Sequence, residues 1–571
     1  MRRLPCLLLC CLALLAAPVP APAQPTQGGQ RFVSIAFHDV VDDARDLEGD
    51  AITTDHLIAF FEWLRADGWN PIRLDDLDAA RAGHRPLPPK AILVSFDDGY
   101  LSLYTRVWPL IRAYRIPIVA ALVGSWMAPL PGGTVRYGDL RLPREKFISW
   151  PQVREMARSE LVEFASHSHD LHRGILANPQ GSQMPAASTA LYTPGLGYED
   201  DTATRTRLRT DLQASRAQFE RELGRAPRAI VWPFGRYSAL AAEVAHELGF
   251  EFALTLDPRP ASSAEPIQIA RFLPDDNPTP AVLAAALRFD DPLPSARRWI
   301  CLDPAHSWDA DPARANERLG DAIERVRALG ATAVVLDMLQ SRADGSIAAW
   351  FPTPHLPLAG DWLSRLSWQL QTRAGVDVYL RLPSRAPAIG VSLAALADEA
   401  ARMVPMAGLL IDEPGLLIVD DAQEPDAGAP WTLRLRRAAA RPAEQGLATE
   451  AALAAFNAAA RRRPGLRLAL LDRRSEAPLL PSTLADLTLY VRAVDAPSTG
   501  PLLPPLARRR VGLWYEAAAA PEAATLTRAM RGFQQRGGTA FGWCPDDLPA
   551  GQPEPARVAP AFSASTFPLK P

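Results

Sequence analysis

Asp97 and Asp98 stand at the end of an apolar run, and paired histidines follow about seventy positions later. The run is Ala91-Ile92-Leu93-Val94-Ser95-Phe96, and the later segment reads His167-Ser168-His169-Asp170-Leu171-His172. A buried strand that ends in two carboxylates, combined with histidines on a second short segment, is typical of an Asp-His-His site that binds a divalent metal and keeps an open coordination position. This pattern predicts a hydrolase.

The two aspartates and the three histidines are expected to have different roles. Asp98 would bind the metal, and Asp97 would stay free to deprotonate a water molecule. The alternative for an isolated Asp-Asp-Gly is a tight turn after a strand, and the alternative for a single histidine is packing or capping. We assign that structural role to His169, because its side chain should point away from the face shared by His167 and His172. A metal bound by one carboxylate and two imidazoles lowers the pKa of water and polarises a carbonyl oxygen, as amide hydrolysis requires.

Strands and helices alternate along the part of the chain that carries these residues. At 571 residues the chain is too long for one core, and two domains of about 250 residues each are expected. Within residues 31–289 the alternation predicts an α/β layer or barrel fold. Strands are expected at 32–37, 91–96, 116–123, 161–165, 229–232 and 252–256, and helices at 54–67, 150–158 and 211–223.

Eight further strands are expected after a linker at residues 290–297. Eight strands separated by helices within residues 298–548 predict a (β/α)₈ barrel, which a proline-rich tail at 549–571 would follow. The strands are expected at 299–302, 331–336, 376–382, 407–411, 466–471, 487–491, 511–514 and 539–543.

Several of these strands end in charged residues. Active sites of such barrels lie at the carboxyl ends of the strands, so Asp303, Asp412 and Glu413 are candidates for a second site. If the barrel closes, its first and eighth strands are neighbours, which would bring Cys301 close to Cys544 and allow a disulfide.

The first residues have the pattern of a secretory signal peptide. Arg2 and Arg3 precede an apolar stretch at residues 4–17, and Ala21-Pro22-Ala23 offers small residues for cleavage. We expect residues 1–23 to be removed and the mature chain to be exported without a transmembrane helix, because no later stretch reaches about 18 apolar residues. Cys10 and Cys11 raise the alternative of a lipid anchor, against which the residues before them argue. The formal net charge of −3 gives no reason to expect nucleic acid as a partner.

Three segments resemble motifs of the polysaccharide deacetylases of carbohydrate esterase family 4. Ser95-Phe96-Asp97-Asp98-Gly99-Tyr100 resembles their first motif, and His167-x4-His172 resembles their paired-histidine motif, one residue wider than the commoner spacing. Val231-Trp232-Pro233-Phe234-Gly235 resembles one wall of their groove. The resemblance is closer to the exported poly-β-1,6-N-acetyl-D-glucosamine N-deacetylases of the PgaB type, in which the His-Asp motif comes first, as Phe37-His38-Asp39-Val40 does here.

The resemblance covers nearly all of the mature chain. The run Gly174-Ile175-Leu176-Ala177-Asn178-Pro179-Gln180-Gly181 also looks like that subfamily, as does the order of a deacetylase domain and then a barrel. The resemblance implies a distorted (β/α) barrel followed by a glycoside-hydrolase-like (β/α)₈ barrel. It also implies that the protein is periplasmic and removes N-acetyl groups from a biofilm exopolysaccharide.

The resemblance also implies a role for each site residue. Asp97 would be the general base, His38 the general acid, and one Zn²⁺, Co²⁺, Ni²⁺ or Fe²⁺ ion would be bound by three ligands. A wall formed by Trp232, Pro233, Phe234 and Gly235 would contribute the backbone N–H near Phe234 to the tetrahedral oxyanion. The metal ligands would be Asp98, His167 and His172.

For the C-terminal barrel and for the partner proteins, the sequence supports more than one function. Family members bind the partly deacetylated polymer and in some cases cleave it, but Ile411-Asp412-Glu413-Pro414 lacks the histidine that precedes the acidic pair in the family. A polymer-binding barrel is therefore at least as well supported as a glycosidase. An outer-membrane export porin is a partner by resemblance alone. The alternatives are a deacetylase of peptidoglycan or chitin oligomers and a non-catalytic, polysaccharide-binding export protein.

Overall fold

The structure is a computed structural model, and it describes most of the chain after residue 28. The described residues are 29–138, 140–257, 260–287, 296–342, 344, 346–383, 391–412, 447–472, 485–493, 503, 510–516, 522–544 and 555–563. The predicted signal peptide at 1–23 and Glu413 lie outside them. None of the helices in these ranges is both long enough and apolar enough to cross a membrane.

A nine-stranded sheet forms the N-terminal part of the molecule. Every pairing in it is parallel except the one between the first strand and Ala261–Ser262. Phe272 exchanges backbone hydrogen bonds with Ser34 and Ala36, so the end of the sheet returns to its first strand. The strands are Arg31–Phe37, Asn70–Pro71, Ala91–Phe96, Ile118–Leu122, Val162–Ser166, Ala229–Val231, Phe252–Thr255, Ala261–Ser262 and Ile269–Ala270. This is the distorted N-terminal barrel that the family resemblance implies, and it is one of the two α/β folds that the alternation of strands and helices predicts.

Helices cover the outside of this N-terminal barrel, and side chains fix where they begin. Asp200 accepts a hydrogen bond from the backbone of Ala203, and Ser149 forms a capping box with Gln152. The helices are Thr54–Ala66, Leu74–Arg81, Trp108–Tyr114, Trp150–Met156, Asp201–Leu223, Ala239–Glu247 and Pro280–Leu287.

One helix begins ten residues before its predicted start. The helix Asp201–Leu223 starts at its Asp200 cap, whereas the sequence pattern predicts a start at 211. Its first turns read Asp-Thr-Ala-Thr-Arg-Thr-Arg, which has no apolar periodicity to reveal a helix.

Eight parallel strands form a closed C-terminal barrel, as predicted. Its strands are Arg297–Leu302, Ala333–Asp337, Asp377–Pro383, Gly408–Asp412, Arg467–Asp472, Leu487–Ala493, Val511–Glu516 and Ala540–Cys544. Its described helices are Pro304–Ser307, Pro312–Leu329, Leu363–Gln369, Leu393–Met403, Leu447–Arg462, Ala523–Gln535 and Pro555–Phe562.

The last of these helices corrects the prediction of a tail at 549–571. Val558, Ala561 and Phe562 are buried and belong to the core of the C-terminal barrel, so residues 555–562 are part of that fold. The predicted linker also ends too late, because Arg297 already pairs with Ala540 in the barrel.

Large side chains fill the inside of the C-terminal barrel. Trp299, Tyr379 and Trp514 are buried there together, and Trp543 is buried on the other face of its strand. Trp514 and Trp543 are therefore core residues and offer no surface on which a sugar could stack. Cys301 and Cys544 form a disulfide between the first and last strands, with their Cα atoms 5.3 Å apart.

Short hairpins and single helical turns complete the described structure. The paired short strands are Val40–Val41 with Ile52–Thr53, Thr134–Tyr137 with Leu140–Pro143, Gly174–Leu176 with Gln183–Pro185, Tyr192–Thr193 with Gly197–Tyr198, and Leu339–Ser341 with Ile347–Ala349. Turns of 3₁₀ type lie at Ala44–Asp46, Gly124–Met127, Arg144–Lys146, Pro233–Gly235 and Pro266–Gln268, and π-helical turns at Leu103–Val107 and Leu370–Ala374.

Candidate metal centre

Parallel strands bring the predicted site residues to one edge of the N-terminal sheet. Asp97 and Asp98 follow the strand Ala91–Phe96, in which every residue is buried. His38 follows the neighbouring strand, where Phe37 pairs with Phe96. His167 follows Val162–Ser166, two strands away on the other side. Since all of these strands run in the same direction, their carboxyl ends place the side chains together.

Asp98, His167 and His172 form a buried cluster. Oδ1 of Asp98 lies 3.3 Å from Nε2 of His167 and 3.3 Å from Nε2 of His172. The potential ligand atoms of the three residues all lie within 4.8 Å of one another. Burial opposes ionisation of Asp98, but the two imidazoles outweigh it and hold the pKa of this carboxyl well below its usual value.

The chemistry of this cluster fits a divalent cation. Both carboxylate oxygens of Asp98 are buried and receive no hydrogen bond. Burying an ionised carboxylate without hydrogen bonds costs free energy unless a cation binds to it. Nδ1 of His167 lies 2.7 Å from the carbonyl oxygen of Val231, to which it donates, so Nε2 presents its lone pair to the cluster. His172 packs against Trp126 and Phe234, with ring centroids 4.8 and 4.3 Å away. One carboxylate and two oriented imidazoles are a suitable ligand set for Zn²⁺ and its neighbours in the transition series.

Three residues of the site have a left-handed backbone. Asp98, Ser168 and Phe234 have φ values of 71°, 67° and 59°, which non-glycine residues rarely adopt. Such strain collects at functional sites, where the surrounding structure enforces it. At Ser168 the enforcing contact is the carboxylate of Asp211, which accepts hydrogen bonds from the next two backbone N–H groups at 2.9 and 2.6 Å. This turn presents His167 and His172 to Asp98.

Asp97 is paired with an arginine that sequence reasoning missed. Nη1 and Nη2 of Arg271 donate to the two carboxylate oxygens of Asp97 at 2.8 and 2.9 Å. Nη1 also donates to the Ser95 hydroxyl at 2.9 Å, and the Arg271 side chain is fully buried. Burial raises the pKa of Asp97, but the charge of Arg271 outweighs that effect and lowers it below its usual value. The sequence signal was present, because Arg271 directly follows the apolar pair Ile269-Ala270 at a strand end.

His38 is paired with a second residue that the sequence reasoning missed, Asp50. Nδ1 of His38 lies 2.9 Å from a carboxylate oxygen of Asp50. Burial lowers the pKa of His38, but the contact with Asp50 and the charges of Asp98 and Asp97 outweigh it and raise the pKa to about 9. Asp50 lies in an irregular loop before a two-residue strand, so no local pattern marks it.

Of the four residues predicted to form a wall of the groove, only some have exposed side chains. Phe234 is 46 % exposed and lies beside His172, as expected for a residue that faces substrate. Trp232 is fully buried and stacks on Tyr237, with ring centroids 5.7 Å apart, and Pro233 is buried too. The Trp232 side chain therefore offers no exposed surface to the predicted wall and instead supports the turn. Gly235 is required there, because it has a φ of +64° and a Cβ would lie 2.5 Å from the Leu256 Cβ.

The predicted second-site carboxylates do not form a comparable cluster among the described residues. Asp303 caps the short helix Pro304–Ser307 by accepting a hydrogen bond from the backbone of Ala305 at 2.9 Å. Asp412 is the last residue of its strand, and Glu413 lies beyond the described part.

Comparison with known proteins gives family matches on both barrels. Residues 84–253 match the family model of polysaccharide deacetylase. Residues 301–403 match the model of hypothetical glycosyl hydrolase family 13.

A curated protein resembles this chain over more than half of its length. Poly-β-1,6-N-acetyl-D-glucosamine N-deacetylase of Escherichia coli (strain K12) is 35 % identical over 355 residues, which are 62 % of this chain and 53 % of that protein. The chain thus spans about half the length of that curated relative.

Two solved structures also resemble part of the chain. A de-N-acetylase from Aggregatibacter actinomycetemcomitans is 34 % identical, with 45 % of this chain and 100 % of that chain covered and a TM-score of 0.43. The BpsB deacetylase domain from Bordetella bronchiseptica is 41 % identical, with 44 % and 97 % covered and a TM-score of 0.39.

Proposed function

We propose that this protein is a metal-dependent N-deacetylase of poly-β-1,6-N-acetyl-D-glucosamine. The observation that carries the proposal is the buried cluster of Asp98, His167 and His172, with Asp97 and His38 beside it. The polymer is taken from the name of the Escherichia coli relative. The deacetylase unit would span residues 31–289 and the polymer-binding barrel residues 298–548.

Asp98, His167 and His172 would hold one Zn²⁺, Co²⁺, Ni²⁺ or Fe²⁺ ion. When bound, such an ion supplies a water of lowered pKa and polarises the acetamide carbonyl oxygen.

Asp97 has the protonation state that a general base needs. Arg271 keeps it ionised at neutral pH, and each of its carboxylate oxygens has a second lone pair that the arginine does not use. It would accept the proton of the attacking water. The bidentate contact also fixes the plane of the carboxylate, which orients the base before substrate arrives.

His38 has the opposite state. With a pKa of about 9 it carries a proton at neutral pH, and Asp50 holds that imidazolium in place. It would donate a proton to the departing nitrogen, so that an amine and acetate result. The base and the acid thus come from neighbouring strands and are held in different charge states by Arg271 and Asp50.

The setting of the reaction is also part of the proposal. A signal peptide at 1–23 would direct the chain to the periplasm, where the polymer passes on its way to an outer-membrane porin. The C-terminal barrel would bind the partly deacetylated polymer, and cleavage would need Asp412 and Glu413. A polysaccharide is the substrate class that the family implies.

Acetate release tests the proposal. The chain without residues 1–23 should release acetate from poly-β-1,6-N-acetylglucosamine oligomers, and chelator should abolish release until metal is restored. Asp98→Asn should bind no metal and lose activity by at least about a thousandfold, because it removes the charged ligand. Asp311→Asn is the matched control, because an asparagine also caps the helix Pro312–Leu329.

Each result decides between named alternatives. Metal bound without acetate release from these oligomers would favour peptidoglycan or chitin oligomers as substrate. A protein that binds no metal would refute the enzyme and leave the polysaccharide-binding export protein.

A further inference from the structure

A cavity of about 530 Å³ lies between the two barrels, apart from the metal centre. The helices Asp201–Leu223 and Ala239–Glu247 line it from the N-terminal barrel, and Leu393–Met403 and Leu447–Arg462 line it from the C-terminal barrel. None of the described residues of the metal cluster lines it. Its volume lies in the range of small-molecule sites.

Arginine dominates the charge of this interdomain cavity. Its lining includes Arg205, Arg209, Arg402, Arg461, Arg462 and Arg463. The acidic residues in the lining are Asp201, Glu243 and Asp398, and each already forms an ion pair with one of the arginines. Glu247, which is outside the lining, also forms ion pairs with Arg205 and Arg209. Six arginines against these four carboxylates leave two formal positive charges at the cavity.

Two guanidinium groups, those of Arg463 and Arg236, have no acidic partner in contact among the described residues. Arg463 donates from Nε to the carbonyl oxygen of Ala401 at 2.6 Å and forms no ion pair with a described residue. Arg236, in the narrow crevice that continues the cavity, makes no side-chain hydrogen bond or ion pair within the described ranges. Burial lowers the pKa of Arg236, and the charges of Asp257 and Asp377, which do not contact it, only partly offset that effect. Burial, and then the charge of Arg236, lower the pKa of Arg463 to about 10. Both groups stay charged at neutral pH and repel each other.

Hydroxyl groups complete the lining. Ser188 and Thr189 lie in both the cavity and the crevice, next to Arg463. Ser238 lies on the N-terminal side, and Arg461 is exposed and has no partner among the described residues. Guanidinium forks and hydroxyls together are suited to the oxygens of a tetrahedral dianion.

We infer that this interdomain cavity binds a small phosphate-type dianion, either the inorganic ion or the phosphate of a small organic ester. Arg461 and Arg463 would contribute from the C-terminal barrel and Arg236 from the N-terminal barrel, so the bound anion would join the two. The polymer does not suit this cavity, since amines exposed by deacetylation are cationic and the arginines would repel them.

Calorimetric titration of the full chain tests the inference in a low-salt buffer free of phosphate. The probes are inorganic phosphate, pyrophosphate, glucose 6-phosphate and glucose, with chelator present so that the metal centre takes no part. At least one phosphate probe should bind with one-to-one stoichiometry, and glucose should not. Tighter binding of glucose 6-phosphate than of inorganic phosphate would assign the site to an organic ester, and the reverse order to the inorganic ion.

Two substitutions decide where the probe binds. Arg461→Gln and Arg463→Gln should each weaken binding about tenfold or more, because each removes a charge-assisted hydrogen bond. Arg158→Gln, at an exposed arginine away from the cavity, should leave the affinity unchanged. Arg461 is exposed, so its variant decides the matter even if Arg463→Gln folds poorly.

The inference is wrong if no phosphate probe binds the wild-type chain at low salt. It is equally wrong if Arg461→Gln binds as tightly as the wild type, or if Arg158→Gln loses as much affinity. Because the assay measures binding with the metal removed, its outcome is independent of whether the chain deacetylates a polysaccharide.

Discussion

Each reactive group of the metal centre is held by a partner that comes from a different segment of the chain. Arg271 holds Asp97, Asp50 holds His38, and the carbonyl oxygen of Val231 orients His167. These contacts set charge states as well as positions, because an ionised carboxylate and a protonated imidazole lie close to each other in a buried site. For single residues, these contacts predict how activity and stability depend on pH.

Arg271→Gln should raise the pKa of Asp97, because the charge that offsets burial of the carboxyl is removed. More of the base is then protonated near neutral pH, so the acidic limb of the rate profile should move to higher pH and activity should fall about 10- to 100-fold. Acetate release measured from pH 4 to pH 9 checks this. Arg271→Lys keeps the charge and should retain an acidic limb close to that of the wild type. An unmoved limb in Arg271→Gln would contradict the role given to the ion pair.

His38 should make the metal-free protein lose stability in alkaline solution. Its pKa of about 9 in the folded chain exceeds the value of 6.5 expected when unfolded. The stabilisation is therefore fully present below pH 6.5 and is lost as the pH rises through 9, with an upper limit of about 3 kcal/mol. Urea unfolding between pH 6 and pH 10 in chelator measures it. His38→Gln should flatten that dependence, and an unchanged slope would show that His38 is not protonated in the fold.

At the scale of elements, the C-terminal barrel is closed by its first and last strands. Arg297–Leu302 pairs in parallel with Ala540–Cys544, and the disulfide between Cys301 and Cys544 links the same two strands. It closes a loop with a sequence separation of 243 residues. A covalent link over so long a loop restricts the unfolded chain strongly.

Replacing both cysteines by serine should destabilise the C-terminal barrel by about 2–4 kcal/mol. Urea unfolding followed by tryptophan fluorescence measures the change, because Trp299, Trp514 and Trp543 are buried in this barrel. Acetate release at low urea should be unaffected, since the metal centre lies in the other barrel. An unchanged midpoint would mean that the disulfide does not form in solution.

At the scale of the whole molecule, the segment after His172 connects the two barrels. Gln180 donates to the backbone oxygen of Asp361 at 2.6 Å, and Tyr198 donates to its carboxylate at 2.8 Å. Nη1 of Arg365 donates to the backbone carbonyl oxygen of Gln180 at 3.0 Å. The run Gly174–Gly181, which the resemblance singled out without a role, thus lies at the contact between barrels.

Tyr198→Phe should cost about 1–3 kcal/mol, because it leaves the buried Asp361 carboxylate without its hydrogen-bond donor. Burial already raises the pKa of Asp361 to about 6, against the lowering effect of Tyr198. Urea unfolding of Tyr198→Phe, Asp361→Asn and the double variant gives the coupling energy. Strictly additive losses would show that the pair does not stabilise the contact.

The sequence alone determined the cluster of Asp98, His167 and His172 and the order of two α/β domains. Asp98 and His167 come directly after strands, and in a parallel sheet the carboxyl ends of the strands share one edge, so local pattern was enough to place them together. The alternation of strands and helices determined the eight-stranded barrel, including the neighbouring positions of Cys301 and Cys544, for the same reason.

Only the tertiary structure decided which side chains support that cluster and which stay buried. Arg271 and Asp50 contact the site from segments far away in sequence, and Trp232 turned out to be core because Tyr237 stacks on it. The sequence also showed no sign of the arginine-lined cavity between the barrels, because its charged residues lie on helices of both barrels. A contact between distant segments leaves no periodicity in either one, so it exists only once the chain has packed.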